Sequence, residues 1–441
     1  MMMPISIVRT LLTGLVSWAL LGLGIYLAYD AYQSFRQVDK EGSVVSTSLR
    51  PEDATLLNQV DETDSQVIAV DHEVVVVGDE SAGWRPWAEL FGGLVCLGLC
   101  VGGRMPIRLL FLGKPTVEAT VVQAATSAFV VSRPDGSQLH GEVFENVGKP
   151  TLLLTHGWSL DSSAWKYAIV DLNAHYRVIT WDLAGLGKSR GPSNRDYSLE
   201  KLAHDLNAVL EHTTPKQPVI LVGHSIGGMT QQTFCRLHAE KLNSSVKGLV
   251  LLHTTYTNPI VTNMAAWLTK PLEPIIKLIN LLMIPLAPLA WLSNWQSYFN
   301  GSLHLSARLE SFTGQQTWEQ LDHSAWMGAK AWPSVVARGN FGMMKFDEEH
   351  TLPNIGVPVL VVSGEHDRLT VQSASKHIES LLPHASRYCD HGGHLGQWEY
   401  REKVSSSILA FAAKVFEKSS SHTPPHVLGV ARQLITELVL I

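Results

Sequence analysis

The segment Val219-Ile220-Leu221-Val222-Gly223-His224-Ser225-Ile226-Gly227 constrains this chain more than any other. Four consecutive apolar residues of high strand preference read as a buried strand. Gly-x-Ser-x-Gly follows at once, and Met229 to Leu242 repeats its apolar residues with helical spacing. A strand that turns straight into a helix through such a serine lifts the Ser225 hydroxyl above the edge of a sheet. Gly223 and Gly227 allow a backbone too tight for side chains. The five-residue pattern alone is weak, since a chain this long carries one by chance with a probability of about 0.1 to 0.2. The strand before it and the helix after it make it specific. The helix start also offers N–H groups and positive potential to an anion.

Similar short apolar runs recur on both sides of this turn. They cover Thr151 to Thr155, Arg177 to Trp181, Leu249 to Leu252 and Val359 to Val362, with helical patterns such as Leu199 to His212 between several of them. Ahead of them, Phe129 to Val131 and Gln138 to Phe144 flank Arg133-Pro134-Asp135-Gly136, which reads as a hairpin. Buried strands alternating with helices predict an α/β fold, with a mostly parallel sheet covered on both faces. On such sheets sites form at the C-terminal strand ends.

Three further motifs fall at those ends. His156-Gly157-Trp158 closes the Thr151 to Thr155 run, where the Trp158 N–H can join that of Ile226 in holding a tetrahedral oxyanion. Gly364-Glu365-His366-Asp367 closes the Val359 to Ser363 run and offers two carboxylates, Glu365 and Asp367, either of which could orient an imidazole. His391-Gly392-Gly393-His394 follows the short Ser386 to Cys389 run and offers two candidate bases.

With these elements the chain resembles the α/β-hydrolase superfamily over about residues 125 to 418. The matching residues are His156-Gly157-Trp158, Trp181 to Ser189, Gly223 to Gly228, Gly364 to Asp367 and Gly393-His394. The resemblance implies Ser225 as nucleophile, Asp367 as acid and His394 as base, in the chain order of that family. It implies a structural role for the Asp182 to Ser189 turn. Val371 stands where the family often has a proline. Serine at position 225 separates the chain from epoxide and haloalkane hydrolases, which use aspartate there. It looks like esterases, monoacylglycerol-type lipases and cofactor-free haloperoxidase-like enzymes.

The N-terminal region, residues 1–115, is of another kind. No charge falls between Arg9 and Asp30, a gap of 20 residues that suits a membrane helix over 10–29. A cleaved signal peptide is the competing reading, but no convincing small-x-small cleavage site precedes Asp30 and the apolar run is long for a signal peptide. Glu89 and Arg104 bound a weaker stretch of 14 uncharged residues, expected as a second span over about 87–112. The segment 30–86 between them is acidic, whereas Arg9, Arg104, Arg108 and Lys114 flank the outer sides. Positive-inside asymmetry then puts both chain ends, and a catalytic domain, in the cytoplasm, at the plasma or inner membrane; if the second stretch does not cross, the catalytic domain faces outward. The Val70 to Val77 run in the acidic segment reads as a strand.

The core is expected in two parts, 116–255 and 346–418, with a helical cap over 256–345. The cap holds an apolar run from Pro274 to Ile284, followed by Pro285, Pro288 and Trp291. Lys277, Asn280 and the prolines speak against a third span. The run either packs its apolar face inward or faces lipid as a lid. The tail 419–441 has a short apolar candidate helix from Val427 to Ile441 and no functional reading.

Composition excludes more than it selects. A net charge of -6 with no Lys/Arg run gives no footprint for nucleic acid. The four cysteines form no disulfide framework and no zinc spacing, so neither metal nor cofactor is expected. The expected activity is hydrolysis of a carboxylic ester through an acyl-enzyme, with a medium or long acyl ester, membrane glycerides included, as substrate. Amide or carbon–carbon hydrolysis on the same triad, or a non-catalytic scaffold, are the alternatives.

Overall fold

The computed structural model describes residues 4–41, 65–70, 73–78, 84–111, 123–214 and 217–421. Most of the acidic segment, Lys114 and the tail with its Val427 to Ile441 run lie outside the described residues. Strands β1 (Ser65–Val70) and β2 (Glu73–Gly78) pair antiparallel in a small separate hairpin. The run expected there as one strand is therefore divided, with Val70 closing β1 and Val74 to Val77 within β2.

Eight strands make the main sheet: β3 (Ser127–Ser132), β4 (Gln138–Phe144), β5 (Thr151–Thr155), β6 (Arg177–Trp181), β7 (Val219–His224), β8 (Val246–Leu252), β9 (Val359–Gly364) and β10 (Ala385–Asp390). Their order is β10-β9-β8-β7-β5-β6-β4-β3, and only β4 runs against its neighbours. Alternation along the strands explains why helices cover both faces. Leu153, Leu221, Leu249 and Val361 point to one side, against Leu206 and Phe234 of helices α5 (Leu199–Thr213) and α6 (Ile226–Leu237). Leu152, Leu154, Ile220 and Val222 point to the other. There they meet Ile169 of α4 (Lys166–Asn173) and Ile408 and Phe411 of α15 (Arg401–Ser421). Helices α13 (Gln372–Leu381) and α14 (Gly396–Glu399) flank β10. Strands β5 and β7 are neighbours although β6 lies between them in sequence. The chain reverses its winding there, and this opens a crevice at their C-terminal ends.

Between β8 and β9 the chain leaves the sheet for a helical cap. It comprises α7 (Ala266–Thr269), α8 (Glu273–Met283), α9 (Ala287–Phe299), α10 (Ser302–Ser311), α11 (Trp318–Lys330) and α12 (Pro333–Met344). Helices α8, α9 and α12 each start with a proline in the first two positions, where its missing N–H costs nothing.

At the N-terminus α1 (Pro4–Glu41) packs along α2 (Arg85–Gly102), followed by α3 (Arg104–Phe111). The backbones approach so closely that a Cβ on Gly93 would stand 3.0 Å from Ala28 N and Gly24 O. Such small-residue contact is how helices associate without a water-driven force. The second apolar stretch is thus two helices broken at Gly103, where a Cβ would stand 2.6 Å from Asn300 O of the cap. Among the described residues one helical stretch, Gly14–Arg36, is long and apolar enough to cross a bilayer; α8 and α9 qualify only as a pair bent by 99°.

Candidate active site

The turn after β7 forces Ser225 into φ 55° and ψ -118°, a conformation rare for any residue with a side chain. Both glycines are required by space. A Cβ on Gly223 would sit 2.6 Å from Gly227 C, and one on Gly227 would sit 2.4 Å from Thr155 O. The Ser225 N–H donates to Leu252 O at 2.9 Å, which ties the turn to β8.

Loops after β9 and β10 bring the other groups to this point. His394 Nε2 lies 3.0 Å from Ser225 Oγ, and His394 Nδ1 lies 2.9 Å from Asp367 Oδ2. All three residues are buried. Asp367 is held by Leu369 N and Thr370 N on Oδ1, at 2.8 and 2.9 Å, and by Thr370 Oγ1 on Oδ2 at 2.8 Å. Burial alone would push its carboxyl up. The charge of His394, with the hydrogen bonds and the charge of His253, outweighs burial and holds Asp367 well below the usual carboxylate range. His394 itself lies below the ordinary imidazole value, because burial disfavours its cation more than Asp367 favours it. This imidazole is therefore neutral near neutral pH, the form that can accept a proton. The rival pair, Glu365 and His391, is exposed and bonded to each other at the surface.

A second imidazole orients the peptide that carries the Trp158 N–H, one of the two oxyanion donors expected from sequence. Leu183 N donates to His156 Nε2 at 3.0 Å, so His156 Nδ1 carries the proton and donates to Gly157 O at 2.8 Å. Burial lowers the His156 pKa, in keeping with this neutral tautomer. With the Gly157 carbonyl turned toward His156, the N–H of Trp158 in the same planar peptide points the opposite way. Ile226 opens α6, where the first N–H groups precede the helical ladder. Trp158 and Ile226 are fully buried beside Ser225, and Trp158 lines the same pocket. On the cap side that pocket is walled by Asn294 of α9, Leu303 and Ala307 of α10, and Ala325 and Gly328 of α11. The Asp182 to Ser189 turn proves structural: Asp182 accepts from Ser162 N at 2.7 Å and Lys188 N at 2.8 Å.

Two residues escaped the sequence reading. His253 follows β8 with φ 45° and is fully buried. Its Nδ1 lies 3.6 Å from Asp367 Oδ2 and its Nε2 lies 3.7 Å from Asp390 Oδ2. Burial opposes its charge, but Asp367 and Asp390 prevail and raise its pKa. The available signal was a histidine directly after a buried apolar run, at the sheet end that carries the other groups. Glu399 of α14 is the second. Its Oε1 accepts from Thr313 N at 2.8 Å, Gly314 N at 3.2 Å and Gln315 N at 3.1 Å, and its Oε2 accepts from Gly393 N at 3.3 Å. One carboxylate thus joins the loop after α10 to the loop that carries His394. No sequence signal marks it. Among the described residues no group of His, Cys, Asp and Glu could hold a metal ion.

Residues 150–400 match a family model described as alpha/beta hydrolase fold. A protein of Synechocystis sp. described as a non-heme chloroperoxidase is 26% identical over 272 residues, 60% of this chain and 91% of that protein. A pimeloyl-[acyl-carrier protein] methyl ester esterase of Vibrio vulnificus is 24% identical over 273 residues, 60% of this chain and 95% of the relative. Among solved structures, an esterase from Rhodococcus sp. ECU1013 superposes with a TM-score of 0.54 at 23% identity, covering 66% of this chain and all of its own (100%).

Proposed function

The chain belongs to the alpha/beta hydrolase fold family, and from that premise we propose that it is a membrane-associated serine hydrolase that cleaves carboxylic esters, acyl or lipid esters in particular. The observation that carries the reading is the unbroken relay from Ser225 Oγ to His394 at 3.0 Å and from His394 to Asp367 at 2.9 Å. In this reading His394 Nε2 takes the hydroxyl proton as Ser225 Oγ attacks the ester carbonyl. The N–H groups of Trp158 and Ile226 hold the oxyanion, and one such donor is worth about 3 kcal/mol of barrier. His394 returns the proton to the leaving alcohol. Water then enters, His394 takes its proton, and the acyl chain leaves Ser225 as a carboxylate. Esterases among the relatives support the ester as the bond cleaved. The apolar stretch Gly14–Arg36 supports a retained anchor. With Arg85–Gly102 as a second crossing the flanking charges put the catalytic domain on the cytoplasmic side, and without it the domain faces outward.

The test compares wild type with Ser225→Ala on nitrophenyl esters and by fluorophosphonate labelling. Turnover should fall by a factor on the order of a million, and labelling should vanish. A mutant that keeps both would defeat the proposal.

A further inference from the structure

A helix on the surface of a water-soluble core turns its apolar stripe inward. Helix α8 does the reverse. Its buried residues are Ile276 and Asn280, and Asn280 accepts a hydrogen bond from Asn340 Nδ2 of α12 at 2.8 Å. Ile275, Leu278, Leu281 and Leu282 stand 53%, 54%, 58% and 50% exposed. Beyond the corner at Pro285 the same surface continues with Leu289 and Leu292 of α9, at 64% and 50%. A face this continuous marks a contact with something other than water.

The neighbours of α9 indicate what that is. A Cβ on Gly14 of α1 would stand 2.7 Å from Ser293 Oγ of α9. Asn300 Nδ2 donates to Ser17 Oγ, and Cys100 Sγ of α2 donates to Ser17 O at 3.6 Å. Gly14 and Ser17 lie at the start of the stretch Gly14–Arg36. Beside them Leu15, Val16 and Trp18 of α1 are themselves exposed. Any apolar medium that surrounds this end of α1 therefore reaches α9 at the same depth. The 99° bend keeps α8 and α9 from crossing as one rod and suits an elbow within a single leaflet. The one cation of α8, Lys277, is 52% exposed and paired with Glu273 Oε1 at 2.7 Å in the first turn, on a side chain long enough to reach headgroups.

We propose that the α8–α9 elbow is embedded in the lipid leaflet that holds the Gly14 end of α1, and that the substrate is an ester resident in that leaflet. This rests on the reading of α1 as an anchor and of Ser225 as nucleophile. Helix α9 is then a partition. Leu289 and Leu292 face lipid, while Asn294 lines the pocket that holds Ser225 and His394. An acyl ester needs to pass only the thickness of one helix, about 10 Å, to reach the nucleophile.

The experiment uses the full chain in phosphatidylcholine–phosphatidylglycerol vesicles, with Cys96→Ser and Cys389→Ser removing the partly accessible thiols. A nitrobenzoxadiazole probe is placed at Leu281→Cys, or at Lys149→Cys on the far end of the sheet. Lipids with a spin label on the acyl chain should quench the probe at 281 and leave the one at 149 bright. Equal quenching at both sites overturns the proposal, whether the 281 probe sits in water or is shielded by protein. In the double variant Leu278→Asp/Leu282→Asp, hydrolysis of a long-chain ester in the vesicles should drop by about tenfold or more. Hydrolysis of water-soluble nitrophenyl butyrate should stay within about twofold, and equal loss on both esters also overturns it. Fluorophosphonate labelling of the wild type in detergent tests Ser225 separately. If labelling fails, the hydrolase reading falls while the quenching result still decides where the elbow lies.

Discussion

At the scale of single residues, the site is governed by how burial and charge divide protons among closely packed imidazoles and carboxylates. In the proposed reaction His394 accepts the serine proton only when neutral. Burial lowers its pKa, so kcat/KM for a neutral ester should rise through an acid limb with its midpoint below about 6.5; a midpoint above that value would contradict the buried geometry. His253 pushes the same way, since its ring faces Asp367 and Asp390 directly, with His224, His394 and Glu399 as the other titratable groups around it. Removing that cation with His253→Phe should raise the His394 pKa and move the acid limb to higher pH. An unmoved limb would mean that His253 carries no charge. Asp367→Asn should cost about 10⁴-fold in kcat, because an amide no longer fixes the Nδ1 tautomer; the check is kcat at a pH well above the limb.

At the scale of elements, strand ends supply the groups and helices hold them in register. Ser225 rides on β7, Asp367 follows β9 and His394 follows β10, so their meeting depends on the parallel order of β7, β8, β9 and β10. Glu399 then locks the cap to the His394 loop. Glu399→Ala leaves up to four backbone donors without their acceptor, and it should lower stability by about 1–3 kcal/mol and kcat with it. Thermal unfolding and turnover measured on one preparation would check this; a loss of stability with unchanged kcat would make Glu399 purely structural. The Gly-x-Ser-x-Gly turn was legible because tight geometry leaves a mark in residue type. The clamp was not, because a glutamate that binds backbone N–H groups looks like any surface glutamate until the fold closes.

At the scale of the whole molecule, the N-terminal helices α1, α2 and α3 are joined to the cap through Ser17 and Arg104 on one side and Asn300 on the other. The Arg104 guanidinium lies over the Tyr298 ring at 5.1 Å and approaches Asp322 at 4.0 Å. If α1 is an anchor, the full chain should resist extraction from membranes by high salt and alkaline carbonate and yield only to detergent. Release by carbonate would remove the membrane from the mechanism while leaving the triad intact. The same architecture explains why the cap stayed ambiguous in sequence. A run such as Pro274 to Ile284 carries the same residues whether its face meets a core or lipid, and only the packing partner tells them apart.

The residues alone determined the sheet class and the tight Gly-x-Ser-x-Gly turn between strand and helix, because each depends on local pattern: strand runs and glycine spacing. They could not choose Asp367 over Glu365, or His394 over His391, without the family likeness. Tertiary structure alone revealed His253 between two carboxylates, the reach of Glu399 across two loops, and the outward face of α8. Those facts depend on which side chains from distant segments share a desolvated space, and distance in space is not written in linear spacing.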